Sequence, residues 1–215
     1  MRKKKSFFVT FEGIEGSGKS YLSKKLFNIL KKKKFNVLKT REPGGTPAAE
    51  IIRDIILDDY FEKNKKIQFN KNTDTLLYLA ARNEHLINKI KPALSKGKII
   101  ICDRFIDSTI AYQVYGKGVN KALVDSVHKY ILGDIKPDLT FVLKVNIFTA
   151  MKRLSKRKKK NRYDKFSKSF YIRAQNAFIK IANKNKKRYI VLDNSKDSNE
   201  IEDIIFKKFI KILKK

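Results

Sequence analysis

The chain has 215 residues, 42% of them hydrophobic and 33% charged, and its 51 Lys plus Arg against 21 Asp plus Glu leave a net charge of +30. That length buries a core without help from metals or disulfides, and the composition excludes collagen-like and low-complexity classes. A single cysteine, Cys102, rules out an internal disulfide framework, and no apolar run approaches the ~18 residues of a membrane helix, so a cytoplasmic location away from membranes is expected.

In chain order the pattern alternates strand and helix. Residues 6–12 (Ser-Phe-Phe-Val-Thr-Phe-Glu) form a short apolar run into a glycine-rich turn, and Glu12 ends that run too soon for the basic start at 1–5 to be a signal segment. A helix is expected over about 19–33, with Leu22, Leu26, Phe27 and Leu30 on one face. Further strands are predicted at 35–40, 99–103, 139–145 and 189–192. The run Ile99-Ile100-Ile101-Cys102-Asp103 is apolar throughout until its last residue, as in a strand covered on both faces. Helices are expected near 47–57, 74–94, 121–132, 147–156, 167–185 and 198–213. The alternation predicts an α/β fold with a mostly parallel five-stranded sheet and helices on both faces, as one domain over 1–215. The break in composition is 152–165, a dense basic stretch with little apolar content. By composition it is exposed and mobile, either a solvated helix end or a lid over an anionic ligand.

Gly13-Ile14-Glu15-Gly16-Ser17-Gly18-Lys19-Ser20 fits the phosphate-binding loop of nucleoside triphosphate enzymes, after a strand and opening a helix as that motif requires. Glycines turn backbone N–H groups onto phosphate oxygens, Lys19 reaches the β- and γ-phosphates, and the Ser20 hydroxyl suits Mg²⁺. Asp103 and Arg104 close the third strand at the carboxyl edge of the sheet, where an Asp can join the metal shell and an Arg can clamp a phosphate. Tyr78 and Arg82, four apart on a helix, share a face; the pair suits a stacked and hydrogen-bonded base, or the aromatic is ordinary core. Arg153, Arg157 and Arg162 could reach a transferring phosphoryl group if their segment closes.

Ten of the 51 basic residues are Arg, and seven of those (Arg41, Arg82, Arg104, Arg153, Arg157, Arg162, Arg173) lie in or beside these motifs, where a bidentate guanidinium has a purpose. The lysines are spread over the whole chain and read as solvated surface, so no specific nucleic-acid binding is expected. A P-loop ATPase with the charge as its DNA footprint, and a P-loop kinase with another acceptor, are the competing readings.

Together these residues resemble the thymidylate kinase family of P-loop nucleoside monophosphate kinases over nearly the whole chain. The stretches that carry the resemblance are Phe11 to Ser20, Arg41-Glu42-Pro43-Gly44-Gly45-Thr46, Tyr78-Leu79-Ala80-Ala81-Arg82, Asp103-Arg104 with Ser108-Thr109 and Tyr112-Gln113, and Pro137-Asp138. The resemblance implies the P-loop NTPase fold, phosphorylation of dTMP to dTDP with ATP and Mg²⁺, and a homodimer. It implies that Glu15 lies near the acceptor sugar and the metal, and that Arg41 and Arg104 meet the acceptor phosphate. Pro43, Tyr78 (where the family usually has Phe), Arg82, Ser108, Thr109 and Gln113 would form the nucleoside pocket. With no Arg in the phosphate loop, Arg157 and Arg162 of the lid would supply the catalytic cations. Asn161-Arg162-Tyr163-Asp164 stands where the family often has Asp-Arg-x-Glu, and Lys117 where Arg is common.

Overall fold

A computed structural model of the chain describes residues 6–58, 69–158, 161–196 and 200–213. The basic start at 1–5, Lys159 and Lys160 of the lid stretch, and the first residues of the helix expected from 198 lie outside the described residues. The strands are β1 (Phe7–Glu12), β2 (Val37–Arg41), β3 (Ile99–Asp103), β4 (Leu139–Lys144) and β5 (Tyr189–Asp193), in the order β2-β3-β1-β4-β5. Every pairing is parallel, so the sheet goes beyond the mostly parallel one expected.

The helices are α1 (Lys19–Lys32), α2 (Pro47–Leu57), α3 (Lys71–His85), α4 (Lys91–Ser95), α5 (Ile106–Thr109), α6 (Lys121–Leu132), α7 (Ile147–Ser155), α8 (Lys168–Asn183) and α9 (Glu200–Leu213). Local chemistry starts several of them. Thr46 caps α2 with Pro47 in the first turn, Asn120 and Asn146 cap α6 and α7, and Ser167 caps α8 by accepting from the Phe170 N–H. The single helix expected over 74–94 is α3 and α4 joined by a π-helical turn, Leu86–Ile90. Pro92 lacks the N–H of a regular helix, and the wider turn precedes it. One helix is absent from the sequence reading: α5 runs straight into π-helical Ile110–Gly116.

Side chains of β1 alternate between the faces. Phe7, Val9 and Phe11 pack with Leu22, Leu26 and Leu30 of α1 and Phe209 of α9, whereas Phe8 joins Leu86, Ile100 and Phe105 on the other side. Thr10 and Glu12, also facing that second side, are fully buried polar groups, and Thr10 shares a hydrogen bond of 2.8 Å with Thr140. The parallel register sets Phe11 and Arg41 opposite Asp103, so three strands end at one edge.

Phe209 is fully buried and meets Phe7 edge-on with ring centroids 5.4 Å apart. Phe209→Ala is expected to cost about 3–5 kcal/mol, the range for emptying an aromatic site in a packed core, read as a lower denaturant midpoint at unchanged slope.

Candidate active site

The glycine-rich loop lies between β1 and α1. Gly16 and Gly18 hold φ of 73° and 92°, and a Cβ on Gly16 would stand 2.6 Å from the Ala150 carbonyl oxygen. Arg153 braces this loop: its Nη1 donates to Gly16 O and its Nη2 to Asn194 O, each at 3.0 Å. Asn194 Nδ2 donates to Ser17 O at 2.9 Å. Arg153, expected to reach a phosphoryl group, thus reaches the loop backbone, and Asn194, past β5, carries no motif that would have revealed it. Lys19 folds over its own loop, donating to Ile14 O (2.7 Å) and Ser17 Oγ (3.3 Å). Burial, followed by the nearby Arg104 charge, pulls its ammonium down to about 7. The Ser20 hydroxyl donates to Asp103 Oδ2.

Arg104 follows β3 and lines the same cleft as Lys19 and Ser20. Its backbone is left-handed, φ 71°, a conformation costly for a residue with a Cβ. Nη2 donates to Glu15 Oε1 at 2.7 Å, and Nη1 to Gly13 O and Ser108 Oγ at 3.0 Å each. Glu15 also accepts from the Tyr112 hydroxyl. Burial works against the Arg104 charge, but Tyr112, Glu15, Asp103 and Glu12 outweigh it and hold the guanidinium protonated.

Around this pair runs one cleft, lined by Glu15, Lys19, Ser20 and Asp103 together with Arg41, Pro43, Tyr78, Arg82, Ser108, Thr109 and Gln113. The sheet edge therefore brings together the loop lysine and hydroxyl, the strand-end pair and every residue expected in the nucleoside pocket. Arg41 is half-exposed and bound to Glu50 at 2.7 Å. Arg53, absent from the sequence reading, also lines the cleft and donates to Pro43 O at 2.7 Å.

Arg82 is spent on protein partners. Nε donates to Glu42 Oε2 (2.7 Å), Nη1 to Thr109 Oγ1 (2.8 Å) and His128 Nε2 (2.7 Å), and Nη2 to Phe105 O (2.9 Å) while pairing with Glu42. His85 Nδ1 holds the other Glu42 oxygen at 3.0 Å, and Thr40 Oγ1 meets His85 Nε2 at 2.7 Å. Burial raises the cost of the Glu42 charge, yet Arg82 and His85 hold its carboxyl below the usual value. At the end of β1, burial and then Asp107 push Glu12 up to about 8, against hydrogen bonds from Ser108 and Phe105.

The basic stretch has two characters. Lys152 and residues 155–158 are exposed as composition suggests, whereas Tyr163 is buried in the cleft wall, edge-on to Tyr78 with centroids 6.0 Å apart. The Tyr163 hydroxyl accepts from Gln113 Nε2 (3.1 Å) and Lys117 Nζ (3.2 Å), which explains how it is buried among charges. Asp164 closes a capping box on the Asn161 N–H (3.0 Å) and binds Arg157 at 2.8 Å. Arg157 lines the cleft; Arg162 pairs instead with buried Asp74, which also takes Lys117 at 2.6 Å.

Ser20 and Asp103 offer a hydroxyl and a carboxylate, hard oxygens that suit Mg²⁺, and no cluster of three or more His, Cys, Asp or Glu able to cage a metal occurs among the described residues. That donor set fits an ion completed by water and phosphate oxygens. No helix among the described residues is long and apolar enough to cross a membrane.

A phosphate loop opening α1, and a cationic cleft at the carboxyl edge of an all-parallel sheet, define a P-loop nucleotide kinase. The family model "Thymidylate kinase" matches residues 11–205. The chain is 43% identical over 210 residues to a thymidylate kinase of Wolbachia pipientis subsp. Culex pipiens, covering 94% of this chain and 96% of that one. It is 40% identical over 199 residues to one from Sulfurihydrogenibium sp., covering 93% and 94%. The crystal structure of thymidylate kinase from Ehrlichia chaffeensis superimposes with a TM-score of 0.74 at 35% identity, covering 97% of this chain and 98% of that one. The chain belongs to the thymidylate kinase family, whose members phosphorylate dTMP to dTDP with ATP.

His128 is nine-tenths shielded and accepts from Arg82, so burial and then that neighbouring cation hold its imidazole neutral, with the pKa lowered to about 3. The unfolded chain takes up this proton near 6.5 and the folded one does not, so stability is full above 6.5 and falls as pH drops toward 3. His128→Gln keeps an acceptor for Arg82 and removes the titration. Between pH 7 and 5 the native sequence is expected to lose roughly 2 kcal/mol more than the variant, read from denaturant melts at both pH values.

Proposed function

We propose that this chain transfers the γ-phosphoryl group of ATP to dTMP, and that the cleft at the sheet edge does so by in-line displacement. The supporting observation is that Lys19, Ser20, Arg104 and Arg41 line a single cleft. The loop from Gly13 through Ile14, Glu15, Gly16, Ser17 and Gly18 to Lys19 and Ser20 cradles the ATP phosphates with backbone N–H groups. Lys19 exchanges Ile14 O and Ser17 Oγ for the β- and γ-phosphates, and the anion raises its lowered pKa. Ser20 and Asp103 hold Mg²⁺, which when bound screens the charge on the phosphate oxygens.

Arg104, aimed by Glu15, and Arg41, released from Glu50, hold the acceptor phosphate. A phosphate oxygen of dTMP attacks the γ-phosphorus, the new P–O bond forms as the β–γ bridge breaks, and ADP carries away the electron pair. No side chain forms a covalent intermediate. Thymine stacks on Tyr78, with Pro43, Ser108, Thr109 and Gln113 around the nucleoside. Arg82 reads the base edge by exchanging one of its present partners. Arg157 already lines the cleft and needs only to leave Asp164 to reach the phosphoryl group; Arg162 must leave Asp74.

The chain acts as one domain whose segment at 152–165 is the lid, in the cytoplasm. It acts as a homodimer through the α3 side, where Leu76 and Ile87 are 48% and 49% exposed and three helical turns apart.

A coupled assay of ADP formation with MgATP and, in turn, dTMP, dUMP, dCMP, dGMP and single-stranded DNA should give turnover chiefly with dTMP. Turnover with DNA and none of the monophosphates would refute the reading in favour of a nucleic-acid ATPase. Arg157→Ala and Arg162→Ala should each lower kcat far more than they raise either KM, on the order of 10³-fold for the arginine that meets the transferring group. Unchanged turnover in either variant removes that arginine from the mechanism.

A further inference from the structure

Glu12 is a fully buried carboxylate at the end of β1, where an apolar residue would cost nothing to bury. Both of its oxygens turn away from the glycine-rich loop that follows it. Oε1 accepts the Phe105 N–H at 2.7 Å and Oε2 accepts the Ser108 hydroxyl at 2.6 Å. Both groups follow Arg104 in the chain. On the other side of the same residue, the Arg104 N–H is fixed to Phe11 O at 2.9 Å. The peptide on either side of a left-handed, non-glycine residue is thereby tied to β1, by the Phe11 carbonyl before it and the Glu12 carboxylate after it. Ser108 extends the hold to the side chain: its oxygen gives its proton to Glu12 and accepts from Arg104 Nη1 at 3.0 Å.

We propose that Glu12 is a positioning residue for the phosphoryl acceptor: it holds the Arg104 backbone and, through Ser108, the guanidinium at the place where the acceptor phosphate binds. The ionised form does this where an amide or hydroxyl does not, because it accepts at both oxygens and donates at neither; burial favours the neutral acid, and the Phe105 N–H and the Ser108 hydroxyl favour the carboxylate. The inference rests on the reading of Arg104 as the acceptor-phosphate ligand, and the test separates the two.

The test compares binding of dTMP, thymidine and ATP by titration calorimetry in the native protein, Glu12→Ala, Glu12→Gln, Arg104→Ala and the Arg104→Ala/Glu12→Ala double variant, with thermal melts alongside. Thymidine has the base and sugar but no phosphate, so it reports the pocket without Arg104. Glu12→Ala should weaken dTMP roughly tenfold while thymidine and ATP stay within about twofold, as expected of a displaced but present ligand group. Glu12→Gln keeps an acceptor for Phe105 but points a donor at Ser108; it should lie between, and it carries the test where the alanine variant does not fold. In the Arg104→Ala background Glu12→Ala should have no further effect on dTMP. Lower melting with an unchanged preference for dTMP over thymidine in both Glu12 variants would reduce Glu12 to a structural residue and overturn the inference. An Arg104→Ala protein that keeps that preference would overturn the phosphate reading of Arg104, and the Glu12 inference with it.

Discussion

The ion pair between Arg104 and Glu15, 2.7 Å apart and mostly screened from water, is the interaction on which the rest of the site depends. A guanidinium in that position is tolerable only if its donors are met by acceptors already in place. The Gly13 carbonyl and the Glu15 carboxylate meet them from the glycine-rich loop, and the Ser108 hydroxyl meets them from α5. The pair therefore ties the phosphate loop to α5 and sets the distance between the two halves of the cleft.

A second buried charge, Glu42, organises the wall beside it. Arg82 and His85 share its two oxygens, and Arg82 reaches on to Thr109, His128 and the Phe105 carbonyl. The turn after β2 is thus linked to α3, α5 and α6 through one guanidinium. In a chain with 51 basic residues, most of the positive charge is in lysines spread along its length, while Arg82 and Arg104 do the buried work that a planar, five-donor group does better than an ammonium. The excess charge of +30 and the specific charge of the site are thus separate matters.

The basic stretch shows why composition misleads over short segments. Lys152, Lys156, Lys158 and Arg157 are exposed, but one aromatic, Tyr163, turns the end of the stretch into part of the cleft, with its hydroxyl in a polar cluster of Gln113, Lys117 and Asp74. The shorter acid at 164 works locally, closing a capping box of its own turn and binding Arg157. A residue that looks like a departure in the sequence is here a fully used side chain.

The strands, most helix limits and the phosphate loop were legible in the amino-acid order, because apolar periodicity, caps and glycine positions are local signals that act within a few residues. Ser108, Thr109 and Gln113 were legible only as a family pattern, since nothing local marks them as lining a cleft, whereas the spacing of Tyr78 from Arg82 left it as base stack or core. Long-range partnership was not legible at all. Glu12 read as the end of an apolar run, Asn194 carried no motif, and 106–116 carried no helix, although Glu12 to Ser108 and Asn194 to Ser17 are bonds across 96 and 177 residues. The sequence by itself determined which chemistry this protein carries: a P-loop, a strand-end Asp-Arg and a set of arginines spared from a lysine-rich surface. Only the tertiary structure decided which arginine lines the cleft and which is consumed by a buried acid, because that depends on what the parallel sheet brings beside each guanidinium, and a buried charge goes to its nearest partner.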